Sequence, residues 1–362
     1  MSWFSRIDTS SLSKYLFKTI KAGRLEFISR EVTKICVNKL SKLGGGISND
    51  NYTFSLIYLN GGKMQELELV LKIYRRNAYV KCRNEGHILK ALESKNFPVP
   101  HVYVQEMNEK FLGAPFIIME KVKGKPMGDY LKKLRKKERL DIIRRFAETL
   151  SFLHELKWED FGLNFLKSPL DEYDYARQQI DLAKRLKDEW NIKRTFDGVI
   201  DWLETKTSLH PCFQYSLLHG DMHLDNFLVT NEGKLVTLDW EYPEIGDPLK
   251  DVALAYHNLS LMLDGRNGNE GEKIGEYFIQ QYIKSSCRKM DYSNLRFYIL
   301  STALIEAICY RFNSAQAFNP LFVNRILGIK YTLAFPLVWW YFRSKSRILE
   351  RLLVDEVNSV KC

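Results

Sequence analysis

The sequence predicts an α+β chain of two lobes, a small β-rich lobe followed by a larger, mainly helical one, and three observations carry that expectation. At 362 residues the chain is too long for one ordinary hydrophobic core and comfortable for two. Residues 66–74 (Glu-Leu-Glu-Leu-Val-Leu-Lys-Ile-Tyr) alternate with the period of a half-buried strand. Residues 140–154 instead put Ile143, Phe146, Ala147, Leu150 and Leu153 on one helical stripe. The period changes near Gly124, which divides the chain into an N-terminal helical segment (1–34), a β-rich lobe (35–122) and a helical lobe (123–362).

Taken in order, Lys34–Val37 reads as a strand running to Leu43, followed by Gly44-Gly45-Gly46 and a loop to Asp50. A second strand, Tyr52–Leu59, ends in Asn60-Gly61-Gly62, a hairpin signal. In the third strand Leu67, Leu69, Leu71 and Ile73 share one face, while Glu66, Glu68, Val70 and Lys72 share the other. A helix is expected from Lys81 to Ser94, closed by Asn96-Phe97-Pro98, and strands at Val102–Gln105 and Phe116–Glu120. Beyond the helical stripe come a polar helical stretch (171–206), a strand at Ser216–Leu218, and a hairpin (227–238) turning at Asn231-Glu232-Gly233. From Asp251 onward the pattern is helical.

The formal net charge of +10, with a pI near 9.1, suits nucleotide phosphates but equally nucleic acid or an anionic membrane face, so charge alone selects no partner. The six cysteines are scattered with neither C-x-x-C nor zinc spacing, which points to reduced thiols and a cytoplasmic protein. The first residues carry an early acid and no long apolar stretch, so no signal peptide is expected. Tyr331–Phe342 is the most lipid-like run, and its dozen residues fall short of the about 20 that span a bilayer.

The chemistry concentrates in His219-Gly-Asp-Met-His-Leu-Asp-Asn226 and in Asp239-Trp-Glu-Tyr-Pro-Glu-Ile-Gly-Asp-Pro-Leu-Lys-Asp251. Phosphoryl transfer needs a carboxylate aimed at the acceptor hydroxyl and hard oxygen ligands for magnesium. Asp221 and Asn226 lie in one loop, and a hairpin of this length can return Asp239 beside Asn226. Asp and Asn also populate ordinary turns. The flanking hairpin, Asp-Trp-Glu and Gly-Asp-Pro argue against that plainer reading.

Together these segments resemble the aminoglycoside phosphotransferase and choline kinase family, over roughly residues 35–260. The resemblance implies a bilobal protein-kinase-like fold and an ATP-dependent small-molecule kinase using Mg2+. It implies Asp221 as catalytic base, Asn226 and Asp239 as magnesium ligands, and His219, His223 and Asp247 as supporting residues, with His223 expected to be buried and hydrogen-bonded. Asp247 and Asp251 are expected to brace the catalytic loop or cap the next helix. In the first lobe it implies that Lys72 meets the α and β phosphates, Glu85 pairs with Lys72, and Val70 covers the adenine. Ser48 and Asn49 would cradle the β and γ phosphates through backbone N–H groups. The Glu120 carbonyl and the Val122 N–H would meet the adenine edge.

The expected acceptor is a small-molecule hydroxyl, of a choline, thiamine, sugar or aminoglycoside kind. Glu241, Glu244 and Glu306 are available acids, and Tyr242, Tyr310 and Trp339 are available aromatics. An atypical protein kinase is the near alternative. It is disfavoured because Gly246-Asp-Pro248 follows Asp239 by seven residues and no Ala-Pro-Glu follows. A nucleotide-binding module at nucleic acid or a membrane surface is the other. The basic run Lys132–Arg139 and the C-terminal segment Trp339–Arg347 could serve it, but a solvated helix face and a packed terminal helix explain them better.

Overall fold

The computed structural model describes residues 8–25, 28–43, 49–75, 78–192, 196–263 and 270–316. Its contacts divide the chain into two compact units, the first comprising 1–123 with 236–241, the second 124–235 with 242–362.

In the first unit, α1 (Thr9–Lys21) is followed by β1 (Ile35–Lys42), β2 (Asn49–Asn60), β3 (Lys63–Tyr74), α2 (Ala78–Ser94), β4 (Val102–Glu106) and β5 (Phe116–Glu120). The strands form one antiparallel sheet of order β1-β2-β3-β5-β4. The β2–β3 turn is two residues long, Asn60 opposite Lys63, with φ +55° at Gly61 and +78° at Gly62. Those positive angles fit the right-handed twist of the flanking strands and explain two glycines there. Alternation along β3 then separates two jobs. Leu69, Leu71 and Ile73 enter a core with Leu12, Leu16 and Ile20 of α1 and Phe54, Leu56, Phe116 and Ile118 of the sheet. Lys72, on the opposite face, meets Glu85 of α2. The segment 236–241 is fastened to this unit where the Thr237 N–H and hydroxyl donate to the Pro98 carbonyl at 2.9 and 3.0 Å. Trp240, 1% exposed, also packs edge-on against Phe97.

The second unit begins with β6 (Gly124–Pro126), α3 (Met127–Leu131) and α4 (Lys136–Glu155), then α5 (Asp174–Glu189), α6 (Asp197–Glu204), β7 (Ser216–Leu218) and β8 (Phe227–Thr230). Strand β9 (Leu235–Thr237) carries the chain back to the first unit. β10 (Glu244–Gly246), α7 (Leu249–Leu263), α8 (Glu270–Ser285) and α9 (Tyr292–Gln316) complete it. The stripe expected on α4 is its core face: Ile143, Phe146, Ala147, Leu150 and Leu153 are buried, joined by Ile142. α8 packs on α4 and α7, and α9 packs on α7 and α5. Two short antiparallel pairings frame the central loop of this unit, β7 with β10 and β6 with β8. Among the described residues no helix is long and apolar enough to cross a membrane.

Candidate active site

Two groups of polar residues stand out, one in each unit. In the first, the Lys72 ammonium lies 2.8 Å from Glu85 Oε1, 2.6 Å from Asp239 Oδ1 and 3.1 Å from Glu241 Oε1. Lys72 and Glu85 are 4% and 2% exposed, so each charge needs a counter-charge inside the protein: Glu85 has Lys72, and Lys72 has three carboxylates. Burial pulls the Lys72 pKa down, but the Glu85, Asp239 and Glu241 carboxylates outweigh it and hold the ammonium above its ordinary value. Burial pushes Glu85 up, with Lys72 offsetting part of the rise. The second oxygen of Glu85 accepts the Tyr74 hydroxyl at 2.7 Å, which fixes the carboxylate on both sides.

The carboxylates of Glu85, Asp239 and Glu241 converge within 4.8 Å, a donor set able to hold a cation. Glu85 is taken by Lys72 and Tyr74, and Glu241, with its side chain 6% exposed, by Lys72, Lys81 and the Asn49 amide. Asp239, with 42% of its side chain exposed, is the carboxylate of the three best placed to meet a cation from solution. It adopts φ +60°, a left-handed conformation that Asp tolerates better than most residues.

In the second unit Leu218 of β7 leads directly into His219-Gly220-Asp221. Gly220 has φ +78°, and a Cβ there would lie 1.9 Å from the Tyr242 carbonyl oxygen, so only glycine fits. Asp251, in the first turn of α7, accepts the N–H groups of His219 at 2.7 Å and Gly220 at 3.1 Å. Its carboxylate is fully buried, with His154 Nε2 at 3.4 Å. Burial pushes Asp251 up, but the His154 contact and the backbone donors together hold it below the usual carboxylate range. Burial lowers the His154 pKa. His219 Nδ1 accepts the Asp221 N–H at 3.3 Å, and the Asn226 amide donates to the Asp221 carbonyl at 3.1 Å. The loop is therefore held at four points, and Asp221 retains a side chain 23% exposed.

Several expectations need amendment. His223 is exposed, not buried, with 58% of its side chain in solvent and Nε2 3.6 Å from Asp221 Oδ1. Met222 and Leu224 turn inward on either side, 1% and 6% exposed, so the intervening side chain faces out. Asn49 is the first residue of β2, opposite Tyr74, and not part of a loop; its side-chain amide donates to Glu241. Ser48 and the three glycines lie outside the described residues, as do Trp339 and the C-terminal basic segment. The two acids expected to brace or cap divide the work. Asp251 braces the loop, while Asp247 accepts the Leu249 N–H at 2.9 Å at the start of α7. Burial raises the Asp247 pKa to about 6.

Val70 stands opposite Met119, and β5 ends at Glu120, two residues before Val122, so these three cluster at one end of the β3–β5 pairing. Sequence reasoning missed Lys81 and counted Glu241 among residues for an acceptor. The only signal was the spacing of Lys81 and Glu85, one helical turn apart. A cavity of about 500 Å³ in the second unit is lined by Cys212, Phe213, Asp247, Arg288 and Asn294 among others.

A profile described as the phosphotransferase enzyme family matches residues 39–298. Acyl-CoA dehydrogenase family member 11 of Gallus gallus is 31% identical over 183 residues, 48% of this chain and 22% of that protein. Family member 10 of Mus musculus is 29% identical over 253 residues, 64% of this chain and 23% of its own. The chain thus spans about a quarter of the curated relatives it matches. Among solved structures, a Ralstonia eutropha protein provisionally named an aminoglycoside phosphotransferase aligns with TM-score 0.66 at 19% identity, covering 94% of this chain and 99% of that one. A Plasmodium vivax ethanolamine kinase aligns with TM-score 0.53 at 15% identity, covering 92% and 90%. At such identities the likeness establishes a common fold, the bilobal α+β fold expected from the sequence.

Proposed function

Because this chain belongs to the phosphotransferase enzyme family, a class that transfers phosphate to an alcohol group, we propose that it moves the γ-phosphate of Mg-ATP to the hydroxyl of a small molecule, with Asp221 as base. The observation that carries this reading is the buried Lys72–Glu85 pair with Asp239 on the same ammonium. A lysine fixed by one carboxylate and set against a second, more exposed one suits phosphate binding beside a metal ligand.

In this reading Lys72 binds the α and β phosphates, and Val70, Glu120 and Val122 border the adenine. Asp239 and Asn226 would hold magnesium, which when bound would neutralise charge on the phosphates. Asp221 accepts the hydroxyl proton of the acceptor and orients its oxygen for attack. Its backbone is pinned through His219, Gly220 and Asn226, which keeps the carboxylate from wandering as the acceptor enters.

One further observation favours a small acceptor over a protein. Helix α7 starts at Leu249, ten residues after Asp239 (249 − 239 = 10), and β10 occupies three of the intervening positions. That leaves little chain for a segment on which a peptide could dock. The curated relatives take their name from a dehydrogenase family, but the part matched is about a quarter of each, and no dehydrogenase activity is proposed. The test is ATP consumption with magnesium, wild type beside Asp221→Asn, across choline, ethanolamine, thiamine, simple sugars, homoserine and aminoglycosides. Turnover on one acceptor that disappears in the variant supports the reading. Equal turnover by the variant would remove Asp221 as base.

A further inference from the structure

Glu241 sits at a crossing of three elements of the first unit. Its carboxylate meets Lys72 of β3 at 3.1 Å, Lys81 of α2 at 3.3 Å, and the side-chain amide of Asn49 at the start of β2. Lys81 and Glu85 are four residues apart on α2 and share a face, so one helix offers an acid to Lys72 and a base to the acid beside Lys72. The arrangement is a row of alternating charges: Glu85, Lys72, Glu241, Lys81.

The row has a consequence for any ligand that draws on Lys72. When the Lys72 ammonium turns toward a phosphate, its hold on Glu241 weakens. Glu241 has a side chain only 6% exposed, and a carboxylate left buried without a counter-charge is strongly unfavourable. Lys81, with 27% of its side chain exposed, can draw closer at little desolvation cost.

We infer that Lys81 is a positioning residue for the nucleotide site, taking over Glu241 as Lys72 engages phosphate. The inference rests on the nucleotide reading of Lys72 given above. Lys81 also subtracts one negative charge from a cluster of three carboxylates, which eases the approach of an anionic triphosphate. Its action runs through Glu241 and needs no contact with the ligand.

The experiment is a double-mutant cycle read by equilibrium binding of Mg-ATP to the whole chain, without acceptor, using a fluorescent ATP analogue and competition by ATP. Lys81→Met is expected to raise Kd about tenfold, and Lys81→Arg to restore it to within about twofold of wild type. In a Glu241→Gln background, where the amide needs no cation, Lys81→Met is expected to change Kd less than about twofold. Steady-state kinetics should show KM for ATP rising while kcat stays within about twofold. Thermal unfolding of each variant separates loss of fold from loss of binding, and Lys81→Arg reports at the same position if the methionine variant is unstable. Wild-type affinity in Lys81→Met, or a tenfold loss that persists in the Glu241→Gln background, overturns the role of Lys81. Absence of Mg-ATP binding by the wild type overturns the nucleotide reading itself, and this inference with it.

Discussion

The Lys72 ammonium stands 2.6 Å from the Asp239 carboxylate and 2.8 Å from that of Glu85, so a single buried cation ties β3, α2 and the segment 236–241 together. The contact with Asp239 joins parts of the chain 167 residues apart in sequence. The same contact places the most exposed carboxylate of the cluster beside the lysine proposed to meet phosphate.

Lys72→Ala therefore has two expected effects. It leaves Glu85 buried with only the Tyr74 hydroxyl, and loss of one partner of a buried pair costs about 3–5 kcal/mol. Denaturant unfolding should show a drop of that order in a variant that also loses stabilisation by Mg-ATP. Glu85→Gln, which keeps a hydrogen-bonding side chain of the same size, should lose less stability than Lys72→Ala.

Gly220→Ala tests the catalytic loop without touching a charge. The new methyl would stand 1.9 Å from the Tyr242 carbonyl oxygen on a backbone at φ +78°, so the loop must shift. Strain of this kind costs about 1–3 kcal/mol, modest beside the consequence for the base proposed at Asp221, whose aim would matter. The expectation is a kcat lowered about 100-fold with a Kd for ATP within about threefold of wild type. Near-normal kcat would mean that the loop adapts.

Much of this arrangement is legible in the sequence where a local rule acts. Asn60-Gly61-Gly62 names its turn because only glycine takes two successive positive φ angles cheaply. The alternation of β3 separates Leu71 from Lys72 for the same local reason. Contacts that depend on a third element are not legible. Lys81 reads as a solvated helix lysine until Glu241 arrives from 160 residues away. His223 reads as buried until Met222 and Leu224 are seen to claim the interior. Asp247 and Asp251 are equivalent in sequence, and only the path of β7 decides which of them meets the loop.

Asp247 gives a pH prediction with a definite sign. Its pKa is raised by burial from an ordinary 3.8 to about 6, so between those values the folded chain binds more protons than the unfolded one. Stability from this group is therefore greatest in acid and falls as pH rises through about 6, by on the order of 3 kcal/mol in all. Asp247→Asn can still accept the Leu249 N–H and carries no charge to bury. The variant should be more stable than wild type at pH 8, by about 1–3 kcal/mol, and the advantage should vanish toward pH 4. A difference independent of pH would show that the Asp247 carboxylate does not carry the effect.

Asp221→Asn separates chemistry from binding. The Asp221 backbone makes the loop's contacts, its N–H to His219 and its carbonyl to Asn226, and both survive the substitution. What changes is the capacity to take a proton, a contribution worth about 100- to 10,000-fold in rate for a positioned general base. The variant should retain wild-type Tm and ATP affinity while kcat falls within that range, and KM for the acceptor should move little. Because Nε2 of His223 lies 3.6 Å from the Asp221 carboxylate and is largely exposed, Asp221→Asn combined with His223→Ala also tests for a substitute base. If the residual rate of Asp221→Asn falls further in the double variant, His223 supplies that residue of activity; if it does not, water does.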